Sequence, residues 1–206
     1  MHAGLIKASR LVDPHRDVSA VGAERLLSDA SEMLSGAIVQ LSGGAPLTVA
    51  VRLMARFQQL SDAPVAWAGD ERSLPFPIDL LHAGVELSRL CVIRAAHVDH
   101  RMYAVDRLLR TRIASLIVID RGEDEDPDPG MLGRYMHLCR NSGATVVILT
   151  PGDAHALSPA VRLHLRTSFS QEIDTTLSSP MKLEVLRSRA PLRRGSIDVG
   201  RPVGMC

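Results

Sequence analysis

Five short and almost wholly apolar segments recur along the chain, and stretches with helical periodicity separate them. A surface helix needs polar positions in every turn, whereas a strand covered on both sheet faces is apolar throughout. Strands that alternate with helices predict right-handed βαβ units on a parallel sheet. A length of 206 residues fits one large domain. The expected strands span residues 37–41, 65–68, 90–93, 115–119 and 145–149.

The expected helices lie between these strands, and the pattern changes after residue 150. Apolar residues at helical spacing predict helices over 20–33, 48–59, 76–83, 98–110 and 130–140. Further on, we expect a helix over 159–166, strands over 168–176 and 181–187 joined by a turn at 178–180, and a last strand over 195–199. The predicted fold class is α/β, a three-layer core with a mostly parallel sheet and antiparallel edge strands at the C-terminus. Residues 1–19 are expected to be a flexible lead-in, 20–190 one domain, and 191–206 a basic tail.

Charge and cysteine content exclude several classes of protein. The formal net charge is +1, so no bulk field draws the chain to nucleic acid or membrane. Cys91, Cys139 and Cys206 form no CxxC pair, which argues against a disulfide framework or a zinc site and fits the reducing cytoplasm. No stretch of 18 apolar residues exists, and the first residues do not resemble a signal peptide. We therefore expect a cytoplasmic protein with no membrane partner.

The first strand is followed by small residues and then a helix, which is where a phosphate-binding loop belongs. Such a loop reads GxxxxGK[ST], and its lysine holds the terminal phosphates of ATP. In this chain Pro46 stands in place of the second glycine and Leu47 in place of the lysine. The sequence therefore predicts a vestigial loop that binds no cofactor, and a plain tight turn is the simpler interpretation. Its residues are Ser42, Gly43, Gly44, Pro46, Leu47 and Thr48.

Acidic residues follow two other predicted strands, at positions where an ATPase places catalytic carboxylates. Asp70 and Glu71 come after the second strand, where a carboxylate can polarise an attacking water. Asp120 ends the fourth, where an aspartate can hold magnesium. Without the lysine, we interpret Glu71 and Asp120 as vestigial acids at exposed strand ends, and predict no catalytic residue. His97, Asp99 and His100 are too few for a metal site and are interpreted as a polar helix start.

Three segments, residues 67–74, 82–85 and 90–94, resemble the RecA family, in which a strand ends in an acidic turn and a helix leads to "LGV" and the next strand. The resemblance covers about residues 34–150, with weaker support to about 190. Within this superfamily the chain is most similar to the ImuA family of mutagenesis accessory proteins, which also lack a dependable phosphate-binding loop. Segment 181–189, a small polar turn and the strand over 195–199 carry that similarity.

The resemblance implies a function and partners that composition and spacing do not show. It implies a non-catalytic accessory protein in SOS translesion mutagenesis, which contacts an ImuB-like inactive Y-family polymerase and, through it, an error-prone DNA polymerase. RecA itself is a further candidate partner. Two alternatives stay open, namely a SulA-like division inhibitor that binds FtsZ and a degenerate RecA-type ATPase.

The C-terminal segment is strongly basic, because six cations face only Glu184 and Asp198. We expect it to contact an acidic protein surface. It lacks the aromatic residues that stack on single-stranded bases, and the acidic run over 123–128 repels phosphates, so DNA contact is expected to be weak or indirect. The predicted contact residues are Arg187, Arg189, Arg193 and Arg194.

Overall fold

Eight strands form one sheet in the part of the chain that the computed structural model describes, residues 34–122, 127–152, 154–169, 181–189 and 196–198. The strands are β1 (Ile38–Gly43), β2 (Val65–Gly69), β3 (Leu90–Arg94), β4 (Leu116–Asp120), β5 (Thr145–Leu149), β6 (Leu163–Phe169), β7 (Met181–Ser188) and β8 (Ser196–Asp198). The helices are α1 (Pro46–Leu60), α2 (Pro77–His82), α3 (Val98–Thr111) and α4 (Pro129–Ser142), and a 3-10 turn spans Leu87–Arg89.

The sheet is parallel over six strands and antiparallel at one end. Its order is β3-β2-β4-β5-β1-β6-β7-β8, with parallel pairing from β3 to β6. The pairs β6–β7 and β7–β8 are antiparallel. The α/β class, the mostly parallel sheet and the antiparallel C-terminal edge are therefore confirmed.

Helices cover both faces of the parallel part, which makes three layers. Side chains alternate along each strand, so Trp67 packs with α1 and α2 on one face, the α1 face. Its neighbours Ala66 and Ala68 pack with α3 and α4 on the opposite face, the α4 face. Strands covered on both faces favour apolar residues at nearly every position for this reason, which explains the apolar runs in the sequence.

Nearly all predicted elements up to residue 150 are confirmed, with ends that differ by one or two residues. The helix predicted over 159–166 is wrong. This stretch contains a turn and then β6, which pairs in parallel with β1. Leu163 and Leu165 face the α1 side of the sheet, whereas His164 and Arg166 face the other side, so the sequence alternates with the period of a strand. The long-range pairing to β1 and β7 gives this segment its hydrogen bonds.

Other predictions fall on residues outside the described part of the chain. These are the lead-in over 1–19, the helix over 20–33, the turn at 178–180, most of the acidic run over 123–128 and most of the basic tail over 191–206. Of the strand predicted over 168–176, only Ser168 and Phe169 are described, as the end of β6. The strand predicted over 181–187 is confirmed as β7, and the last strand as β8.

Candidate functional site

The predicted loop and acidic residues lie at one edge of the sheet, because the carboxyl ends of parallel strands all point the same way. β1 ends at Gly43, β2 is followed by Asp70, and β4 ends at Asp120. β5 separates β4 from β1, so the acids and the vestigial loop do not follow adjacent strands. The loop continues into α1 on the α1 face, whereas Asp120 accepts a hydrogen bond from α3, which lies on the α4 face.

Hydrogen bonds within the protein occupy three consecutive backbone N–H groups of the turn between β1 and α1. The Gly43 N–H donates to the Gly152 carbonyl at 2.7 Å. The Gly44 N–H donates to the Thr167 carbonyl at 2.9 Å, and the Ala45 N–H donates to the Thr167 hydroxyl at 2.8 Å. A phosphate cradle is built from backbone N–H groups that point at the ligand. Here those groups hold the turn against β6 and the segment after β5.

The close approach of β6 explains why position 43 is a glycine. Gly43 has a φ of 98°, which side chains rarely adopt. A Cβ atom built on it would lie 1.9 Å from the Thr167 carbonyl oxygen. The Thr167 hydroxyl also donates to the Ser42 carbonyl at 2.9 Å, which holds the two strands together at this point. The glycine is required by strand packing.

Helix α1 begins without the features that attract an anion. Ala45 precedes it and makes no side-chain capping hydrogen bond, and Pro46 lies in its first turn and has no N–H. Leu47, at the lysine position, is 41% exposed and carries no charge. Thr48, at the position of the metal-binding hydroxyl, is buried. The helix end that would face a triphosphate therefore presents an apolar side chain.

Asp70 and Asp120 lie close enough to influence each other, and the buried Arg101 lies near both. Arg101 comes from α3 and donates to the Asp120 backbone carbonyl at 2.7 Å. Burial is the main reason that the pKa of Asp120 lies above its ordinary value, and the nearby Asp70 charge adds to this effect. The Gly122 N–H and the Arg101 charge act in the opposite direction but do not cancel it. The two carboxylates thus share one electrostatic environment at the ends of β2 and β4.

Hydrogen bonds to its own turn hold the Asp70 carboxylate. Its Oδ1 accepts from the backbone N–H groups of Arg72 and Ser73, each at 2.8 Å. Burial raises its pKa, but these N–H groups, the Ser73 hydroxyl and the Arg101 charge together lower it below the ordinary value. Such a carboxylate is a poor general base because it is weakly basic and already accepts two hydrogen bonds.

Glu71 points away from this pair. Its carboxylate contacts the guanidinium of Arg94, at the end of β3, at 3.0 Å, and both side chains are largely exposed. An exposed ion pair of this kind contributes about 0–1 kcal/mol to stability. Of the three acids singled out in the sequence, the structure brings together Asp70 and Asp120 and places Glu71 in a surface ion pair.

A buried polar network beneath the turn was missed in the sequence. The Ser42 hydroxyl and His164 Nε2 lie 2.9 Å apart, and both residues are almost fully buried. Burial lowers the pKa of His164, as do the charges of Arg166 and Arg187. Gln40 donates to the His155 carbonyl at 2.9 Å. The signal was the polar residues 40 and 42 inside an otherwise apolar strand. Their partners come from segments distant in the chain, because β6 supplies the partner of Ser42 and the segment after β5 supplies those of Gln40.

This serine–histidine pair has the residue types of a hydrolytic dyad but not its accessibility. Ser42 is 0% exposed and His164 2% exposed, so no substrate reaches them in this conformation. The Ser42 hydroxyl also lies 3.5 Å from the Leu165 carbonyl. The network joins β1 to β6 and satisfies polar groups that would otherwise be costly to bury.

Two of the four predicted contact arginines can be placed. Arg187 and Arg189 lie at the end of β7, and Arg187 donates to the Ser158 carbonyl at 3.3 Å. Arg189 is exposed. Arg193 and Arg194 lie outside the described residues. Earlier in β7, Glu184 forms a 2.6 Å ion pair with Arg166 of β6, so part of the basic surface is neutralised.

Comparison with known proteins gives no family assignment, since no protein-family model and no curated protein matches this sequence. Among the residues that the structure describes, no three His, Cys, Asp or Glu side chains form a group that could hold a metal ion. None of the described helices is both long enough and apolar enough to cross a membrane.

Proposed function

We propose that this chain is a non-catalytic, RecA-like accessory protein of DNA-damage-induced translesion mutagenesis that works in the cytoplasm through contacts with other proteins. The observation that carries the non-catalytic part is the turn between β1 and α1. Its three backbone N–H groups are bound to the protein, and Leu47 stands where a phosphate-binding lysine is needed.

The energetics of the turn support this interpretation. Before its N–H groups could bind a phosphate, the turn would have to release three intramolecular hydrogen bonds. Each contributes about 1 kcal/mol net, so the release would weaken phosphate binding by about a hundredfold. Leu47 would then supply no charge to recover that loss. ATP binding strong enough to support turnover is not expected from such a site.

Surface features at opposite ends of the sheet support a role in protein contacts. At one end, no described strand pairs with the outer side of β3, where Val92 is 51% exposed. Phe76 and Ile78, between β2 and β3, are 73% and 56% exposed. An unpaired edge strand and exposed large apolar side chains are typical of an interaction surface. At the other end lie the basic residues of β7.

Two separated surfaces fit an adaptor that contacts more than one protein at once. The resemblance to ImuA supplies the proposed partners, an ImuB-like inactive polymerase homologue and, through it, an error-prone polymerase, with RecA as a further candidate. We propose that Arg187, Arg189, Arg193 and Arg194 contact an acidic surface of the partner, because their positive charge is complementary to such a surface. DNA contact is secondary in this proposal.

The genetic test separates mutagenesis from division control. Deleting the gene is expected to lower damage-induced mutation and to leave cell length normal. Overproduction is expected to leave division normal as well. Filamentous cells on overproduction, together with normal induced mutation in the deletion strain, would show instead a SulA-like inhibitor of FtsZ.

A biochemical test addresses the remaining alternative, a degenerate ATPase. Calorimetric titration with Mg-ATP is expected to show no saturable site. The double variant Pro46→Gly, Leu47→Lys restores the two missing loop residues, yet it is expected to gain little affinity because the N–H groups stay bound to β6 and to Gly152. A micromolar site in the wild-type protein that Asp120→Ala abolishes would refute the non-catalytic assignment.

The contact surface is tested by charge reversal. The variant Arg187→Glu, Arg189→Glu is expected to capture the ImuB-like partner more weakly, because it presents like charge to an acidic surface. The control Arg107→Glu, Arg112→Glu makes the same change in net charge at exposed positions elsewhere and is expected to capture normally. Equal capture by both variants would remove β7 from the interface.

A further inference from the structure

Three arginines from three different elements line one cavity of about 290 Å³. Arg140 comes from the last turn of α4, Arg162 precedes β6, and Arg189 follows β7. The rest of the lining is small or apolar and includes the start of β1, so the cavity lies away from the strand ends that carry Asp70 and Asp120. No carboxylate lines it, and among the described residues none forms a salt bridge with these three side chains.

The charges on β6 and β7 show that this cationic arrangement is local. Arg166 and Glu184 lie opposite each other on the two strands and form a 2.6 Å ion pair. On the same face, the Arg189 N–H donates to the Arg162 carbonyl at 2.9 Å, so two arginines lie opposite each other there. Like charges at directly opposed positions destabilise a sheet. The strands therefore carry a matched pair at one end and an unmatched cationic pair beside the cavity.

A β-bulge places the second of these arginines beside the first. His164 lies opposite Arg187 and Leu165 opposite Val185, so Leu186 is an extra residue in β7. Without it, the alternation of side chains would put Arg187 and Arg189 on the α1 face. With it, they share a face with Arg162. Bulges are frequent where a strand has to redirect a side chain toward a site.

We propose that this cavity binds the phosphate group of a small ligand, of the size of diphosphate or a nucleoside monophosphate. Arginine is the side chain best suited to a phosphate, because its planar group makes paired charged hydrogen bonds to two oxygens. Three guanidinium groups around one concavity supply enough donors and charge for a dianion. The volume lies near the lower limit for ligand pockets, which is about 300 Å³, and this favours a compact ligand.

The proposed site shares Arg189 with the proposed partner surface, but its test uses no partner protein, so failure of this proposal can be distinguished from failure of the proposed function. Purified full-length protein is titrated by calorimetry with inorganic diphosphate, with AMP and with succinate as a dicarboxylate. We expect saturable binding of diphosphate and AMP and much weaker binding of succinate. Each of Arg140→Gln, Arg162→Gln and Arg189→Gln is expected to weaken phosphate binding by about tenfold or more, because each removes charged hydrogen bonds.

A control variant on the same strand distinguishes binding at a defined site from a general effect of the positive charge of the protein. Arg166→Gln makes the same substitution on the same face of β6, but Arg166 already contacts Glu184, so phosphate affinity is expected to change less than about twofold. Thermal unfolding without ligand gives a second readout. Arg162→Gln and Arg189→Gln are expected to keep or raise the melting temperature, because they remove the repulsion between opposed arginines.

Four outcomes would overturn the proposal. The first is no saturable binding of diphosphate or AMP by the wild-type protein, and the second is an equal loss of affinity in Arg166→Gln. The third is succinate binding as tight as diphosphate binding. The fourth comes from fluorescence anisotropy with a labelled single-stranded oligonucleotide. Binding of that strand that depends on these arginines, without binding of the small ligands, would assign the surface to nucleic acid instead.

Discussion

Replacing Gly43 by alanine tests whether the turn between β1 and α1 is built to pack against β6. The new Cβ atom would lie 1.9 Å from the Thr167 carbonyl oxygen, whereas an ordinary carbon–oxygen contact is about 3.3 Å, so the strands must separate by about 1.4 Å. That movement disrupts the hydrogen bonds from the Gly44 and Ala45 N–H groups to Thr167, at about 1 kcal/mol each. The positive φ adds about 1–3 kcal/mol of backbone strain.

We therefore expect Gly43→Ala to lower the free energy of unfolding by about 3–5 kcal/mol, out of the 5–15 kcal/mol typical of a domain. For a chain of this length, the melting temperature is expected to fall by about 6–20 °C. Urea denaturation followed by circular dichroism measures the first quantity, and the slope against urea shows whether unfolding stays two-state.

Two matched glycine variants separate strain from steric clash. Gly152 also has a positive φ of 55°, but a Cβ atom there would meet nothing within 4 Å. Gly152→Ala is expected to lose only the strain, about 1–2 kcal/mol. Gly133 lies inside α4, with open space around its Cβ position, and Gly133→Ala is expected to be neutral or to stabilise by up to about 1 kcal/mol. A loss in Gly43→Ala no larger than that in Gly152→Ala would refute the reasoning.

Three further predictions concern buried ionisable groups. Asp106 is 11% exposed in its side chain and contacts two half-exposed arginines of α3 and α4, so Asp106→Asn is expected to lose about 1–3 kcal/mol in urea denaturation. Glu71→Gln breaks an exposed ion pair and should lower the free energy of unfolding by less than about 1 kcal/mol. A larger loss in Glu71→Gln than in Asp106→Asn would contradict the role of burial. The pKa of His164 is lower in the folded state, so the unfolded state binds more protons as the pH falls below about 6.5 and the free energy of unfolding decreases there. His164→Gln should make that decrease with pH smaller. An unchanged dependence of the free energy of unfolding on pH would show that this histidine does not cause it. Burial raises the pKa of the Cys139 thiol to about 12, so this thiol should not react rapidly with a disulfide reagent. Cys139→Ser is therefore expected to leave the number of rapidly reacting thiols unchanged. A decrease in that number would show that the Cys139 thiol is accessible.

Five of the six parallel strands could be predicted from local patterns, because each of the five is almost wholly apolar, whereas β6 was missed. The run from Leu116 to Ile119 is buried on both faces, so its sequence reports its position without knowledge of its neighbours. Helix α4 follows the same logic, since Leu132, Tyr135 and Cys139 repeat at helical spacing and face the core.

The sequence by itself determined the α/β class, the succession of strands and helices up to residue 150, and the absence of a lysine at position 47, because these depend on residue type and short-range periodicity. Tertiary structure decided three other features. Residues 163–169 form a strand because β1 and β7 lie beside them. Thr167 of this strand accepts the hydrogen bonds of the Gly44 and Ala45 N–H groups in the turn. The bulge at Leu186 brought Arg189 beside Arg162, to face a cavity shared with α4. Each of these depends on contacts between residues far apart in the chain, and the periodicity of one segment does not specify which other segment it meets.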